Sequence, residues 1–312
     1  MKRILKSLLK IFIGFFILIN IVVICHAYKF THYYDANEVV IKDQKDKTGW
    51  DKTKELLFGF NGVKQKNIAP DSSFKTVYLK TKDSLKLEAW VMNVPNAKGT
   101  VALFHGHGSK KSAVLAEAYS FQKMGYNTLL LDFRAHGNSE GNTCTIGYDE
   151  AEDVKLVYDY LQQQGEKNIV LWGISLGAAT ITKAVNDYSI APQKIILEMP
   201  FGSLPDAVAG RVKIMGLPVQ PLATMLTFWG GVEHGFWAFN LKPWEYAKKI
   251  NCHVLLQHGA KDPRVTEEET KHLFDNITSE KKWVEYENSG HESLCKNENN
   301  KWVKEVSAFL QK

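Results

Sequence analysis

Apolar and polar positions divide the chain into three textures. The first is an apolar run from Ile11 to Tyr28, broken by Gly14 and Asn20 and headed by Lys2, Arg3, Lys6 and Lys10. As a helix this run would reach about 27 Å, enough to cross the hydrocarbon of a bilayer. The second, residues 29–71, is polar and mixed in charge, with one helical stretch at 50–58, and reads as a spacer. The third runs from residue 72 to 312. "KTVYLKT" (75–81) and "LKLEAWVM" (85–92) alternate or run apolar about Lys82-Asp83-Ser84, which predicts a hairpin. "TVALFH" (100–105) is a short continuous apolar run, the mark of a strand buried on both faces.

A regular alternation follows. Helical spacing over 112–124 leads to the strand "NTLLLDF" (127–133), and a helix over 148–163 leads to "NIVLWG" (168–173). A helix after Ser175 leads to "KIILEM" (194–199). Later come "HVLLQH" (253–258), a helix near 266–276, "KKWVEY" (281–286) and a last helix from about 299. Strands alternating with helices predict an α/β domain: an eight-stranded, mostly parallel sheet, opened by an antiparallel hairpin, with helices on both faces. Such sheets bind ligands at the carboxyl ends of their strands. Residues 201–242 break the rhythm after the sixth strand. They are rich in apolar and aromatic residues, with Pro and Gly too frequent for one regular helix, and are expected to form a small cap over that edge.

Charge changes the picture at the N-terminus. The formal net charge is +5, but four of the positive charges precede the apolar run and no acid occurs before Asp35. The rest is nearly balanced, which argues against nucleic acid as a partner. The one-sided charge predicts a cytoplasmic N-terminus, with residues 11–28 in the membrane and the domain outside the cytoplasm. A signal segment cleaved near Cys25-His26-Ala27, giving a secreted or periplasmic protein, is the alternative. Cys25, Cys144, Cys252 and Cys295 match no metal site and no disulfide framework, although Cys144 and Cys295 are both expected near the carboxyl edge and could pair. No cofactor and no metal are implied.

The candidate chemistry lies in "LWGISLGAAT" (171–180), a serine between glycines at the end of a buried strand and the start of a helix. A structural serine in a βα turn is the bland reading. A sharp turn would expose the Ser175 hydroxyl as a nucleophile. A hydroxyl needs a base, and the base needs an acid to orient it. His291, in the loop after the last strand, is the candidate base. Asp262, just past the seventh strand, is the candidate acid. Asp206 is the runner-up, Asp132 is expected to hold the loop at 134–141, and Glu292 is badly placed beside His291. An oxyanion would need two N–H donors. Leu176 supplies one, and the loop "HGHGSK" (105–110) supplies the other, with His107 as the candidate.

The order Ser175, Asp262, His291, the G-x-S-x-G turn and the HG loop after the third strand resemble the α/β-hydrolase superfamily over about residues 72–312. "LDFRAHGNSEG" and "DPRV" resemble further stretches of that family, with Ala135 and Ser84 standing where glycine is usual. The likeness is greatest to small-cap bacterial enzymes of esterase-like or serine-aminopeptidase-like type. It implies a serine hydrolase cleaving a carboxylic ester or thioester of a small-molecule substrate through an acyl-enzyme. An aminopeptidase-like amidase on the same residues is the alternative, with Glu233 the one acid available to hold an amine in the cap. A non-catalytic binding protein on this fold is the third reading. Aromatic residues of the cap, Trp229 and Trp237 among them, are expected to wall the substrate pocket. No basic cluster occurs among residues 222–239, so uncharged acyl substrates are expected.

Overall fold

In the computed structural model, residues 2–39 and 42–311 are described. A long helix, α1 (Lys2–Thr31), and a short one, α2 (Gly49–Phe58), precede the domain. The sheet then begins with β1 (Lys75–Lys80) and β2 (Lys86–Met92), joined by a turn in which Ser84 takes a φ of 69°. There follow β3 (Thr100–Phe104), α3 (Leu115–Lys123), β4 (Asn127–Leu131), α4 (Glu150–Gln163) and β5 (Ile169–Ile174). Next come α5 (Leu176–Tyr188) and β6 (Lys194–Glu198), then α6 (Leu204–Ile214), α7 (Val219–Glu233) and α8 (Pro243–Tyr246). The chain closes with β7 (His253–Gly259), α9 (Glu267–Asn276), β8 (Lys281–Tyr286), α10 (Leu294–Asn297) and α11 (Asn299–Gln311).

The eight strands form one sheet in the order β8-β7-β6-β5-β3-β4-β2-β1. β1 and β2 pair antiparallel, β2 pairs antiparallel with β4, and the other pairings are parallel. Alternation along each buried strand supplies two cores. Ala102 and Phe104 face the layer that holds Val154, Val157, Ile181 and Ala184 of α4 and α5. Val101 and Leu103 face Phe121 of α3 and Trp302, Val306 and Phe309 of α11. The continuous apolar run read in β3 follows from this, since a strand covered on both sides has no solvent face to mark with polar residues. Cys144 lies in the first core and Cys295 in the second. The sheet therefore separates them, both are free thiols, and the considered disulfide is ruled out.

Residues 29–71 are tied to the domain more closely than a spacer would be. The Tyr33 N–H donates to the Asn142 carbonyl at 2.7 Å, and the Cys144 N–H donates to that of Thr31 at 2.8 Å. Tyr33 and Tyr34 pair in parallel with Gly62 and Val63. The Gln65 amide donates to the Gly108 carbonyl at 2.7 Å and that of Asn67 to Asp132 at 2.7 Å. These contacts use backbone donors and short polar side chains, which carry no periodic signal. The end of α1 runs beside α7 of the cap, and the indole N–H of Trp229 donates to Oδ1 of Asn20 at 2.9 Å. α1 is long and apolar enough to cross a membrane.

Candidate active site

Ser175 stands between the last residue of β5 and the first of α5, with φ 54° and ψ −112°, a conformation that costs a non-glycine residue strain. The flanking glycines make the turn possible. A Cβ at Gly177 would lie 2.2 Å from the Phe104 carbonyl oxygen of β3, and one at Gly173 would lie 2.5 Å from the backbone of Gly177. Neither neighbour can yield, because both are backbone in the middle of the domain. The turn is pinned from the other side by the Ser175 N–H, which donates to the Glu198 carbonyl of β6 at 2.8 Å.

The loops after β7 and β8 bring the other two groups to the same edge. Gly259 ends β7 so close to the next loop that a Cβ there would meet the Gly290 and Ser289 carbonyl oxygens at 2.5 and 2.6 Å. His291 follows directly. Its Nδ1 lies 2.6 Å from Oδ2 of Asp262, and its Nε2 lies 2.9 Å from Oγ of Ser175. With the ring proton on Nδ1, the imidazole donates to the carboxylate and accepts from the hydroxyl. The other carboxylate oxygen, Oδ1, accepts the Arg264 and Val265 N–H groups at 2.8 and 3.0 Å. Burial opposes the charge on Asp262, but the hydrogen bond and charge of His291 and these two N–H groups outweigh it, and the carboxyl is held below its usual range. It is thus an anion held by three hydrogen bonds that keep it from swinging away from the ring.

The 105–110 loop faces this group. Among the described residues, the His107 and Leu176 N–H groups donate to no protein acceptor, so both are open to a ligand oxygen. Two histidines that the sequence reading left aside brace the loop. Nε2 of His136 accepts the Gly108 N–H at 3.0 Å while its Nδ1 donates to the Arg134 carbonyl. Nε2 of His105 accepts the Phe133 N–H at 3.2 Å. Burial pushes these imidazoles down to about 3 and about 4, so they serve as neutral struts rather than charges. Burial, and with it the neighbouring Arg211 guanidinium, also holds His107 well below its usual range.

The remaining candidates lie elsewhere. Asp206 accepts from the Ser203 hydroxyl at 2.5 Å in the first turn of α6, so the runner-up acid serves the cap. Asp132 is buried, pairs with Lys111 and accepts the Asn138 N–H at 2.9 Å, holding the 134–141 loop. Glu292 accepts from the Gly290 N–H at 3.4 Å and does not orient His291. His32, Glu233 and His234 bring possible metal-ligand atoms within 4.8 Å of one another, the one such group among the described residues. None of the three lines the cavity beside Ser175.

That cavity is small, about 40 Å³, room for little more than water. Its walls include Phe30 from the end of α1, Phe201, Val208 and Val265, together with Arg211 and Arg264. One expectation fails here. Trp229 and Trp237 are not among the lining residues; with Asn20, Met225, Phe228 and Phe239 they border a separate groove of about 420 Å³ on the outer side of the cap. Trp237 is 56% exposed there. The cap turns its inner side, carrying Arg211, toward Ser175, and gives its aromatic side to α1. A basic pair is also present, although one member comes from before the aromatic stretch and the other from the acid loop. Arg264 was visible in "DPRV" once Asp262 was placed, whereas Arg211 and Phe30 required the fold.

The chain is similar to several known proteins. Residues 95–230 match the family model described as serine aminopeptidase, S33. A Bacillus subtilis (strain 168) relative, named only as uncharacterized protein YqkD, is 26% identical over 215 residues, 68% of this chain and 70% of its own length. The lysophosphatidylserine lipase ABHD12 of Danio rerio is 26% identical over 162 residues, 49% of this chain but only 40% of its own. Among solved structures, the esterase Pf2001 of Pyrococcus furiosus superposes with a TM-score of 0.67 at 22% identity, covering 81% of this chain and 98% of its own. These likenesses support hydrolase activity in general terms. With the eight-stranded sheet, the likeness to solved structures shows that the chain has the α/β-hydrolase fold.

Proposed function

We propose that the protein is a serine hydrolase that cleaves a carboxylic ester or thioester through an acyl-enzyme. The observation that carries this reading is the hydrogen-bonded series from Ser175 through His291 to Asp262, set beside two open N–H groups. His291 would take the Ser175 proton as Oγ attacks the acyl carbon, with Asp262 stabilising the imidazolium that forms. The His107 and Leu176 N–H groups would hold the oxyanion. His291 would then return the proton to the leaving oxygen or sulfur, and water would repeat the sequence to release the acid.

The family model's description raises an aminopeptidase, but an aminopeptidase needs an acid to hold the substrate amine. No acid is among the lining residues of the cavity, and Glu233 stands 3.9 Å from His32 at the far end of α7. An ester is therefore favoured. We place α1 as a retained anchor with the domain outside the cytoplasm: the leading positive charges set that orientation, and cleavage near Ala27 would remove the Asn20 contact to Trp229. Purified full-length protein assayed on p-nitrophenyl esters of graded chain length beside aminoacyl p-nitroanilides is expected to turn over the esters. Preference for anilides with a free amine would overturn the ester reading.

A further inference from the structure

The two arginines beside Ser175 have no part in the acyl transfer just described. The chain has 39 lysines and arginines, of which only Arg3, Arg134, Arg211 and Arg264 are arginines. Arg134 shows how a buried guanidinium is ordinarily compensated: it pairs with Asp153 at 2.6 Å and Glu152 at 2.9 Å. Arg211 on α6 and Arg264 after β7 differ. Among the described residues no carboxylate lies within 4.0 Å of either guanidinium. Arg211 stands 5.6 Å above the Phe30 ring, with Nη2 3.5 Å from Nδ1 of His107. Burial, and then the charge of Arg264, hold Arg211 below its usual range. Backbone enforces the proximity, since a Cβ at Gly210 would lie 2.2 Å from the Arg264 carbonyl oxygen. Two like charges thus face one cavity whose other walls are largely apolar, and an entering anion would relieve their repulsion and the desolvation of Arg211.

We infer that Arg211 and Arg264 bind a phosphate group carried by the ester that Ser175 attacks. The inference rests on the hydrolase reading and replaces the expectation of an uncharged substrate. Charge balance selects phosphate over carboxylate, because a phosphate monoester carries about −1.5 to −2 at neutral pH and can satisfy both guanidiniums. Their planar forks match its oxygens in pairs.

Full-length protein should be assayed on two matched pairs: 1-oleoylglycerol and its 3-phosphate in neutral detergent micelles, and 1-acetylglycerol and its 3-phosphate in solution. Release of the acid gives kcat/KM for each. The phosphorylated member is expected to be preferred by about tenfold or more, the scale of one charge-assisted hydrogen bond. Preference in both pairs would mean that any phosphate ester suffices; preference in the oleoyl pair alone would assign the site to a lipid headgroup. Arg211→Gln and Arg264→Gln should bring the ratio toward one, and Arg211→Lys should keep part of it, which lost packing alone would not do. A wild-type ratio near one, while a neutral fluorophosphonate still labels Ser175, overturns the phosphate site and leaves the hydrolase standing. A ratio unchanged in both Gln variants also overturns it. No labelling at Ser175 overturns the two readings together.

Discussion

Two apolar regions invite comparison: the wall beside Ser175 and the groove between α7 and α1. The groove holds the conspicuous aromatic side chains, Phe228, Trp229, Trp237 and Phe239, and it opens outward. The wall beside Ser175 is built from residues scattered over the chain, Phe30, Phe201, Val208 and Val265, and it carries two cations. A cluster of large apolar side chains close in sequence therefore marks where a segment meets its neighbour, here a membrane-type helix. A site at a sheet edge is assembled from the ends of several elements.

The largest expected effects fall on the Ser175 side. Ser175→Ala and His291→Ala should each lower kcat by about 10^4-fold to 10^6-fold, with the double variant hardly worse, because groups acting as one unit are strongly non-additive. Asp262→Asn should cost somewhat less, about 10^3-fold to 10^4-fold, by loss of the anion that orients the ring. Asp206→Asn should stay close to wild type in steady-state kinetics on p-nitrophenyl acetate. A reversal between the two aspartates would move the acid into the cap.

The contrast between wall and groove sharpens with a second pair. Phe30→Ala removes a side chain from the cavity wall and should lower kcat/KM on soluble esters by about tenfold, a fraction of the value of a buried aromatic side chain. Trp237→Ala should leave those rates within about twofold, since surface substitutions away from special features change little. The tryptophan change should instead weaken co-sedimentation with lipid vesicles. Equal losses of ester activity in both variants would erase the distinction.

A smaller effect concerns the floor beneath Ser175. Oε1 of Glu198 accepts from the indoles of Trp172 at 2.9 Å and Trp302 at 2.6 Å and from the Gln257 amide at 3.0 Å. Burial, with the nearby Glu117 charge, pushes its carboxyl up to about 8. The folded protein therefore keeps a proton that the unfolded chain releases above its ordinary 4.5. Stability contributed by this group is full below pH 4.5 and declines as pH rises toward 8. Urea midpoints taken across that window should fall with pH, and Glu198→Gln should flatten the slope. An unchanged slope would assign the decline to other groups.

The legible parts of the molecule were those in which backbone geometry demands a residue type. Eight strands could be read because each is a short apolar or alternating run between turn residues. Ser175 could be read because only glycine at 173 and 177 lets α5 approach β3. Asp262 and His291 followed from their places after the seventh and eighth strands. The illegible parts depend on rotation and on irregular contacts. Nothing in the pattern tells that α6 and not α7 lines the cavity beside Ser175, and the stitching of residues 29–71 runs through single hydrogen bonds without period. His105 and His136 were overlooked as struts because an isolated histidine carries no positional signal until its two neighbours in space are known.

The central claim is that Ser175 is an activated nucleophile, and the most direct measurement is site-resolved labelling of the full-length protein by a fluorophosphonate, read by peptide mass spectrometry. The expected result is one adduct, on the peptide containing Ser175, absent in Ser175→Ala and strongly slowed in His291→Ala. No adduct on folded wild-type protein, or an adduct that persists at the same rate in Ser175→Ala, would contradict it.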